Sequence, residues 1–206
     1  FGTPCISGKD SMTIDTKFKD ENGVERKVSG LPSLLITAMG KMKDTKKIVS
    51  MDAKFAGDLV YVLGVTKDEM GGSEYYSMYN AIGDSVPIVD AKRAKRLYNA
   101  LSRATREGVV ASIHDCSQGG LGVALAETAF SGGLGMEIDL TNVPRDGVDK
   151  NYKALFSESA SGFVATINPK ERERFESMMK GNTYANIGYV ASDNIFRVKG
   201  INGRYV

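Results

Sequence analysis

The stretch Ala111-Ser112-Ile113-His114-Asp115-Cys116-Ser117-Gln118-Gly119-Gly120-Leu121 decides how the chain is read. Val109, Val110, Ala111 and Ile113 form an apolar run that ends in His114-Asp115, and Leu121 to Phe130 carries an apolar helical pattern. The order is strand, polar turn, helix. The turn gathers an imidazole, a carboxylate and several backbone N–H groups at the C-terminal end of a strand. Open α/β sheets bind ligands in that position. A helix N-terminus facing the turn favours anions. An Asp placed there suits Mg2+, a hard cation that takes one or two carboxylates and completes its shell with phosphate oxygens and water.

Upstream, Asp90 to Glu107 reads as the clearest helix. Asp90 is a natural N-cap, Ala94, Leu97, Tyr98 and Leu101 follow helical spacing with Ala104 one turn on, and Gly108 ends it. Asp58 to Val65 reads as a buried strand. In Gly71-Gly72-Ser73-Glu74, Ser73 can cap a helix. Glu74 either holds a metal or sits in a first helical turn, where negative charge is favourable.

Downstream, Met136 to Leu140 alternates as a half-exposed strand. Leu155-Phe156-Ser157-Glu158-Ser159-Ala160-Ser161-Gly162 is either a solvated loop or a second wall of a ligand site, followed by the strand Phe163 to Ile167. Asn168-Pro169 opens a helix with Glu171 three residues after the cap. Phe175, Met178 and Met179 give that helix its apolar face as core filling rather than as ligands. Ile187 to Val190 and Ile195 to Val198 are strand candidates, and Asn202-Gly203 marks a last hairpin.

At the other end, Met12 to Phe18 partly alternates before Asn22-Gly23, which predicts a hairpin. Ser33 to Gly40 reads as a buried strand. Lys41 to Lys47 is charged, so a domain boundary is expected near residue 47, giving domains 1–46 and 47–206. Ser7-Gly8-Lys9-Asp10-Ser11 sets a flexible residue beside a cation, an anion and a hydroxyl, which is phosphate-binding chemistry in miniature. It lacks the glycine spacing of a P-loop, and an exposed polar turn explains it as simply.

Composition narrows the class. The 206 residues carry a net charge of +2 and 25% charged side chains, so neither nucleic acid nor an acidic membrane is implied as a partner. The Lys and Arg residues alternate with acids, as in Lys170 to Arg174, in the manner of a solvated helix face. No apolar run approaches the ~18 residues of a membrane span, and no signal-peptide pattern is present. Cys5 and Cys116 show no metal-ligand spacing and read as reduced thiols of a cytoplasmic protein. The chain opens on Phe1, which reads as a piece of something longer. The expected fold class is α/β (α+β), a mixed sheet packed with helices.

With these pieces in hand, the chain resembles the C-terminal part of the phosphoribosylformylglycinamidine synthases, within the aminoimidazole ribonucleotide synthetase-like superfamily. The resemblance is carried by Gly2 to Met12, Leu34 to Gly40, Gly71 to Tyr76, His114 to Leu121 with its helix, and Leu155 to Ser159. It implies an ATP- and Mg2+-dependent amidation of formylglycinamide ribonucleotide. ATP phosphorylates the formyl amide oxygen, and ammonia from a glutaminase domain or subunit displaces the phosphate. Residues 1–46 then resemble the tail of an N-terminal pairing domain, and 47–206 a C-terminal α/β domain, with the remaining synthetase domains as partners.

By the same resemblance, Asp115 falls on the Mg2+ ligand and Ser117 on a nucleotide contact. Gly8, Lys9 and Ser11 fall on a nucleotide- or phosphate-binding segment. A protonated Lys cannot ligate a cation, so Lys9 is assigned to phosphate charge. Glu158 and Ser159 resemble a substrate-binding Glu-Ser pair. Gln118 departs from the acid common at its place, one charge fewer for a second metal. Relatives hold a non-catalytic nucleotide (ATP or ADP) at the pseudo-equivalent site, so Asp115 serves either turnover or structure.

His114, the one histidine, is either a catalytic group or an imidazole that fixes the turn by hydrogen bonding. Cys116 is a weaker candidate for glutaminase chemistry, which needs a Cys–His pair in an oxyanion-stabilising site. Two alternatives to the synthase fragment stay open. One is another ATP-dependent superfamily enzyme, such as a selenophosphate synthetase or a thiamine-monophosphate enzyme, against which Gly71 to Tyr76 and Gly8 to Met12 argue. The other is a structural half-domain that binds partners or a nucleotide and catalyses nothing. The fragment by itself is expected to lack amidation activity, and an apolar surface in residues 1–46 is expected to promote a homodimer.

Overall fold

The computed structural model describes residues 2–11, 14–31, 33–42 and 44–206. These fall into two compact units, 1–43 and 44–206. In the first, β1 (Asp15–Lys19) and β2 (Glu25–Ser29) form an antiparallel hairpin. Its turn is built on Asp20, whose carboxylate accepts the N–H groups of Asn22 and Val24, each at 3.0 Å. The hairpin expected at Asn22-Gly23 is therefore present, although Met12 and Thr13, where the alternation was read to begin, lie outside the described residues.

The strand expected over 33–40 is not formed. Residues 33–42 have no regular structure, and Leu34, Leu35, Ile36 and Met39 are exposed, Leu35 by 94%. A strand needs a neighbour to take its N–H and C=O groups. Among the described residues of this unit only the hairpin has paired strands, so an apolar run by itself does not become a strand.

The second unit is a six-stranded mixed sheet with helices on both faces. Its elements are β3 (Leu59–Leu63), β4 (Thr66–Lys67), α1 (Glu74–Ser77), α2 (Ala91–Arg106), β5 (Ser112–Cys116), α3 (Gly120–Ser131), β6 (Gly135–Asp139), β7 (Arg145–Asp146), α4 (Asn151–Phe156), β8 (Gly162–Ile167), α5 (Arg172–Met178), β9 (Tyr184–Ala191) and β10 (Phe196–Lys199). The strand order is β10-β6-β9-β3-β8-β5. Only β10 and β6 run parallel; the other pairings are antiparallel. The short β4 and β7 pair apart from this sheet.

Strand periodicity divides the core. In β3, Val60 and Val62 face the layer of α3 and α4, while Tyr61 and Leu63 face α2 and α5. All four are buried, which is why the strand reads as a continuous apolar run rather than an alternating one. Of the face that spacing predicts for α2, Ala94, Leu97, Leu101 and Ala104 are buried while Tyr98 lies at its exposed edge, and the Asp90 carboxylate caps the helix by accepting from Lys92 and Arg93 N–H. Asn168 likewise caps the turn that leads into α5, where Phe175 and Met179 are fully buried.

Candidate functional site

Four chain segments meet at one end of the sheet. The register sets Leu63 beside Phe163 and Tyr184, and Cys116 beside Gly162. The end of β3, the end of β5 and the starts of β8 and β9 therefore lie together. Here β5 runs further than the sequence suggested: His114, Asp115 and Cys116 are strand residues, and the turn proper is Ser117 to Gly119.

Adjacent residues of β5 point to opposite faces. Cys116 packs against the core shared with α3, whereas Asp115 presents a side chain 64% exposed. His114 is mostly enclosed. Its Nε2 lies 2.7 Å from the Glu127 carboxylate on α3, and its Nδ1 lies 3.4 Å from Asp115. The imidazole thus tethers strand to helix. Glu127 was missed from sequence, although it is the one charge in the otherwise apolar and small-residue helix α3. Burial pushes the Cys116 thiol up to about 12, with the Asp115 charge adding to the effect. A thiol so placed is a poor nucleophile at neutral pH.

The two glycines are required by packing. Gly119 and Gly120 both have positive φ, 78° and 65°. A Cβ on Gly120 would lie 2.5 Å from the Ser157 carbonyl oxygen, so the start of α3 seats directly on the 155–157 backbone. The turn is also not a free anion nest. The Gly119 N–H donates to Glu158 Oε1 at 2.9 Å, and the Gly120 N–H to the Ser117 carbonyl at 3.0 Å. The groups left facing outward are the Asp115 carboxylate and the exposed side chains of Ser117 and Gln118.

The turn after α4 is a clamp, not a solvated loop. Ser157 and Ser159 are buried. Ser157 Oγ donates to the Lys67 carbonyl and accepts the Glu69 N–H at 3.0 Å, and Ser159 Oγ accepts the Lys67 N–H at 2.9 Å. Glu158 Oε1 accepts a second N–H, that of Glu74, also at 2.9 Å. Glu74 opens α1, capped by Ser73 as expected. Next to it the Tyr75 ring lies between Tyr152 and Phe156, with centroids 5.4 and 5.1 Å away and planes within 14° of parallel. No sequence signal pointed to this stack, because its members come from two helices distant in the chain.

Among the described residues no three His, Cys, Asp or Glu side chains converge as a metal cage. A single exposed carboxylate still fits Mg2+, which rarely uses an all-protein cage. Gly8, Lys9 and Ser11 belong to the first unit, in an exposed irregular segment where Lys9 Nζ donates to Ser11 Oγ at 2.9 Å.

A mixed sheet covered by helices on both faces defines an α/β domain. The family model of the AIR synthase related protein, C-terminal domain, matches residues 56–201, and the chain belongs to this family. It is 36% identical over 193 residues to the phosphoribosylformylglycinamidine synthase subunit PurL of Thermococcus sibiricus, covering 94% of this chain and 25% of that protein. With the subunit of the same name from Limosilactobacillus fermentum it shares 35% identity over 204 residues. The chain spans about a quarter of the length of the curated relatives it matches. Its fold is similar to that of T. maritima PurL complexed with FGAR, at a TM-score of 0.68 and 22% identity over 79% of this chain and 28% of that one. No helix of the described residues is long and apolar enough to cross a membrane.

Proposed function

We propose that this chain is part of an ATP-dependent ligase of purine biosynthesis that converts formylglycinamide ribonucleotide to the amidine with glutamine-derived ammonia. The family membership and the PurL relatives support it, as do neighbours of the same fold complexed with ATP, ADP and FGAR. The observation that carries it is Asp115, an exposed carboxylate at the end of β5 beside the Ser117 hydroxyl, on a turn braced from behind by Glu158.

In this proposal Asp115 holds Mg2+ against the phosphates of a nucleotide and Ser117 contacts the same nucleotide. Gly8, Lys9 and Ser11 of the first unit are nucleotide- or phosphate-binding groups in their own segment, with Lys9 supplying the charge. Glu158 keeps the turn in place through Oε1 and offers Oε2 to substrate, next to Ser159. His114 holds the strand–helix junction through Glu127. Residues 1–46 are the tail of a pairing domain and 47–206 the C-terminal domain. The remaining synthetase domains and a glutaminase domain or subunit complete the cytoplasmic enzyme. Exposed Leu34, Leu35 and Ile36 supply the surface for a homodimer of the chain.

Calorimetric titration of Mg·ADP into the chain tests the assignment, with Asp115→Asn as control. Because Asp115 is exposed, the variant folds normally and loses binding. Equal binding by both proteins overturns the role of Asp115. No heat in either assigns the nucleotide to other domains and overturns the site for this chain.

A further inference from the structure

A second cleft at the same end of the sheet is lined differently from the Asp115 turn. Its walls are the residues that follow β3 (Gly64, Val65), the first turns of α2, and the loops that open β8 and β9. Three cations line it, Lys67, Arg93 and Arg96, against one carboxylate, Asp90. That is a local excess of positive charge in a protein whose whole net charge is +2. The Asp90 carboxylate is committed to the N–H groups of Lys92 and Arg93 at the helix cap. Lys67 has a loose partner in Glu69, 3.8 Å away, and Arg93 touches the Thr183 hydroxyl at 3.4 Å. Among the described residues Arg96 has neither an ion pair nor a hydrogen bond, yet it lines the cleft. Ser161, on the opposite wall, has a left-handed backbone, φ 68°, and its hydroxyl meets the Tyr98 hydroxyl at 2.9 Å. A non-glycine residue in that conformation carries a local strain that the surrounding structure sustains, a feature concentrated at ligand sites.

We propose that this cleft binds a phosphate group, either as the free ion or as a phosphate monoester. Two guanidinium forks and an ammonium match a dianion with three equivalent oxygens, and an Arg fork can engage two of those oxygens at once. The hydroxyls of Ser161 and Thr183 complete the donor set. Ser159 holds the Lys67 backbone, so occupancy of the cleft is connected to the turn that carries Glu158.

The inference does not rest on the nucleotide assignment at Asp115. The probe is inorganic phosphate, titrated into the 206-residue chain at constant ionic strength while backbone amide shifts are followed by NMR. Saturable shifts are expected at Arg93, Ser161 and Thr183. Arg96→Gln weakens binding by at least about fivefold, and Arg93→Gln/Arg96→Gln removes saturation, because each loses a charge-assisted contact. Arg103→Gln, which removes the same charge further along α2, and Asp115→Asn both leave binding unchanged. Ribose 5-phosphate distinguishes the source: tighter binding than phosphate identifies a monoester site, and equal binding a site for the free ion. Absence of saturable shifts, or an Arg103→Gln effect as large as that of Arg96→Gln, overturns the proposal.

Discussion

The carboxylate of Glu158 holds the backbone N–H of Gly119 at 2.9 Å across 39 residues of chain, and the same oxygen holds the N–H of Glu74. One side chain therefore fixes the turn after β5, the start of α3 and the start of α1. Glu158→Ala leaves both donors without this acceptor. It is expected to cost about 2 kcal/mol, in the range for hydrogen bonds to a charged group. Glu158→Gln keeps an acceptor oxygen and costs less. Urea unfolding of the two variants checks the order, and equal stability of Glu158→Ala and the parent chain would sink the clamp.

Gly120→Ala probes the seat of α3. The residue has φ 65°, and a Cβ would press against the Ser157 carbonyl oxygen, which is backbone and cannot swing away. Left-handed strain together with this overlap is expected to cost about 3 kcal/mol. Amide hydrogen exchange in α3 should quicken in the variant. Unchanged protection would mean that the backbone accommodates the methyl group.

The Tyr61 hydroxyl donates to Glu176 at 2.6 Å from a fully buried ring. That hydrogen bond, then the Arg172 contacts, hold the Glu176 carboxyl below its usual 4.5. A depressed acid contributes stability above its unfolded pKa and loses it as pH falls through the folded value. Tyr61→Phe is therefore expected to cost about 1 kcal/mol at pH 7, Glu176 being partly solvated, and less near pH 3. Urea midpoints at the two pH values read the difference directly.

Asp58 is 1% exposed, and among the described residues its Oδ2 has no hydrogen-bond partner. Burial raises its pKa above 3.8. The sign is opposite to that of Glu176: the folded state keeps the proton more tightly, and stability falls as pH rises through the raised folded value. Asp58→Asn removes the charge and is expected to gain about 1 kcal/mol at pH 7, a rise in melting temperature of about 2–4 °C. The gain should vanish near pH 3. A variant less stable at pH 7 would show that the carboxylate has a favourable role.

Cys5 is exposed, whereas the Cys116 thiol is pushed up to about 12 by burial. At pH 8 one thiol per chain should react with Ellman's reagent, and both in urea, because the thiolate is the reacting form. Rapid reaction of two thiols in the folded chain would refute the enclosed position of Cys116.

The sequence by itself determined the local elements. Helical spacing from Ala94 to Ala104 between Asp90 and Gly108 defines α2, because capping and the 3.6-residue period act within one segment. Asn22-Gly23 defines the hairpin turn for the same reason. The outward carboxylate at Asp115 was legible as a polar residue closing an apolar run. What the tertiary structure decided are the relations between distant segments. The sheet order β10-β6-β9-β3-β8-β5 is one such relation, and the capture of Gly119 by Glu158 is another. The backbone N–H groups of the turn suggested an anion site, yet the Gly119 N–H is taken by Glu158, the Gly120 N–H by the Ser117 carbonyl, and the space beside Gly120 by the Ser157 carbonyl. Leu34 to Met39 looked like a buried strand, yet the segment is exposed, because a strand needs hydrogen-bonding neighbours that its own residues do not contain.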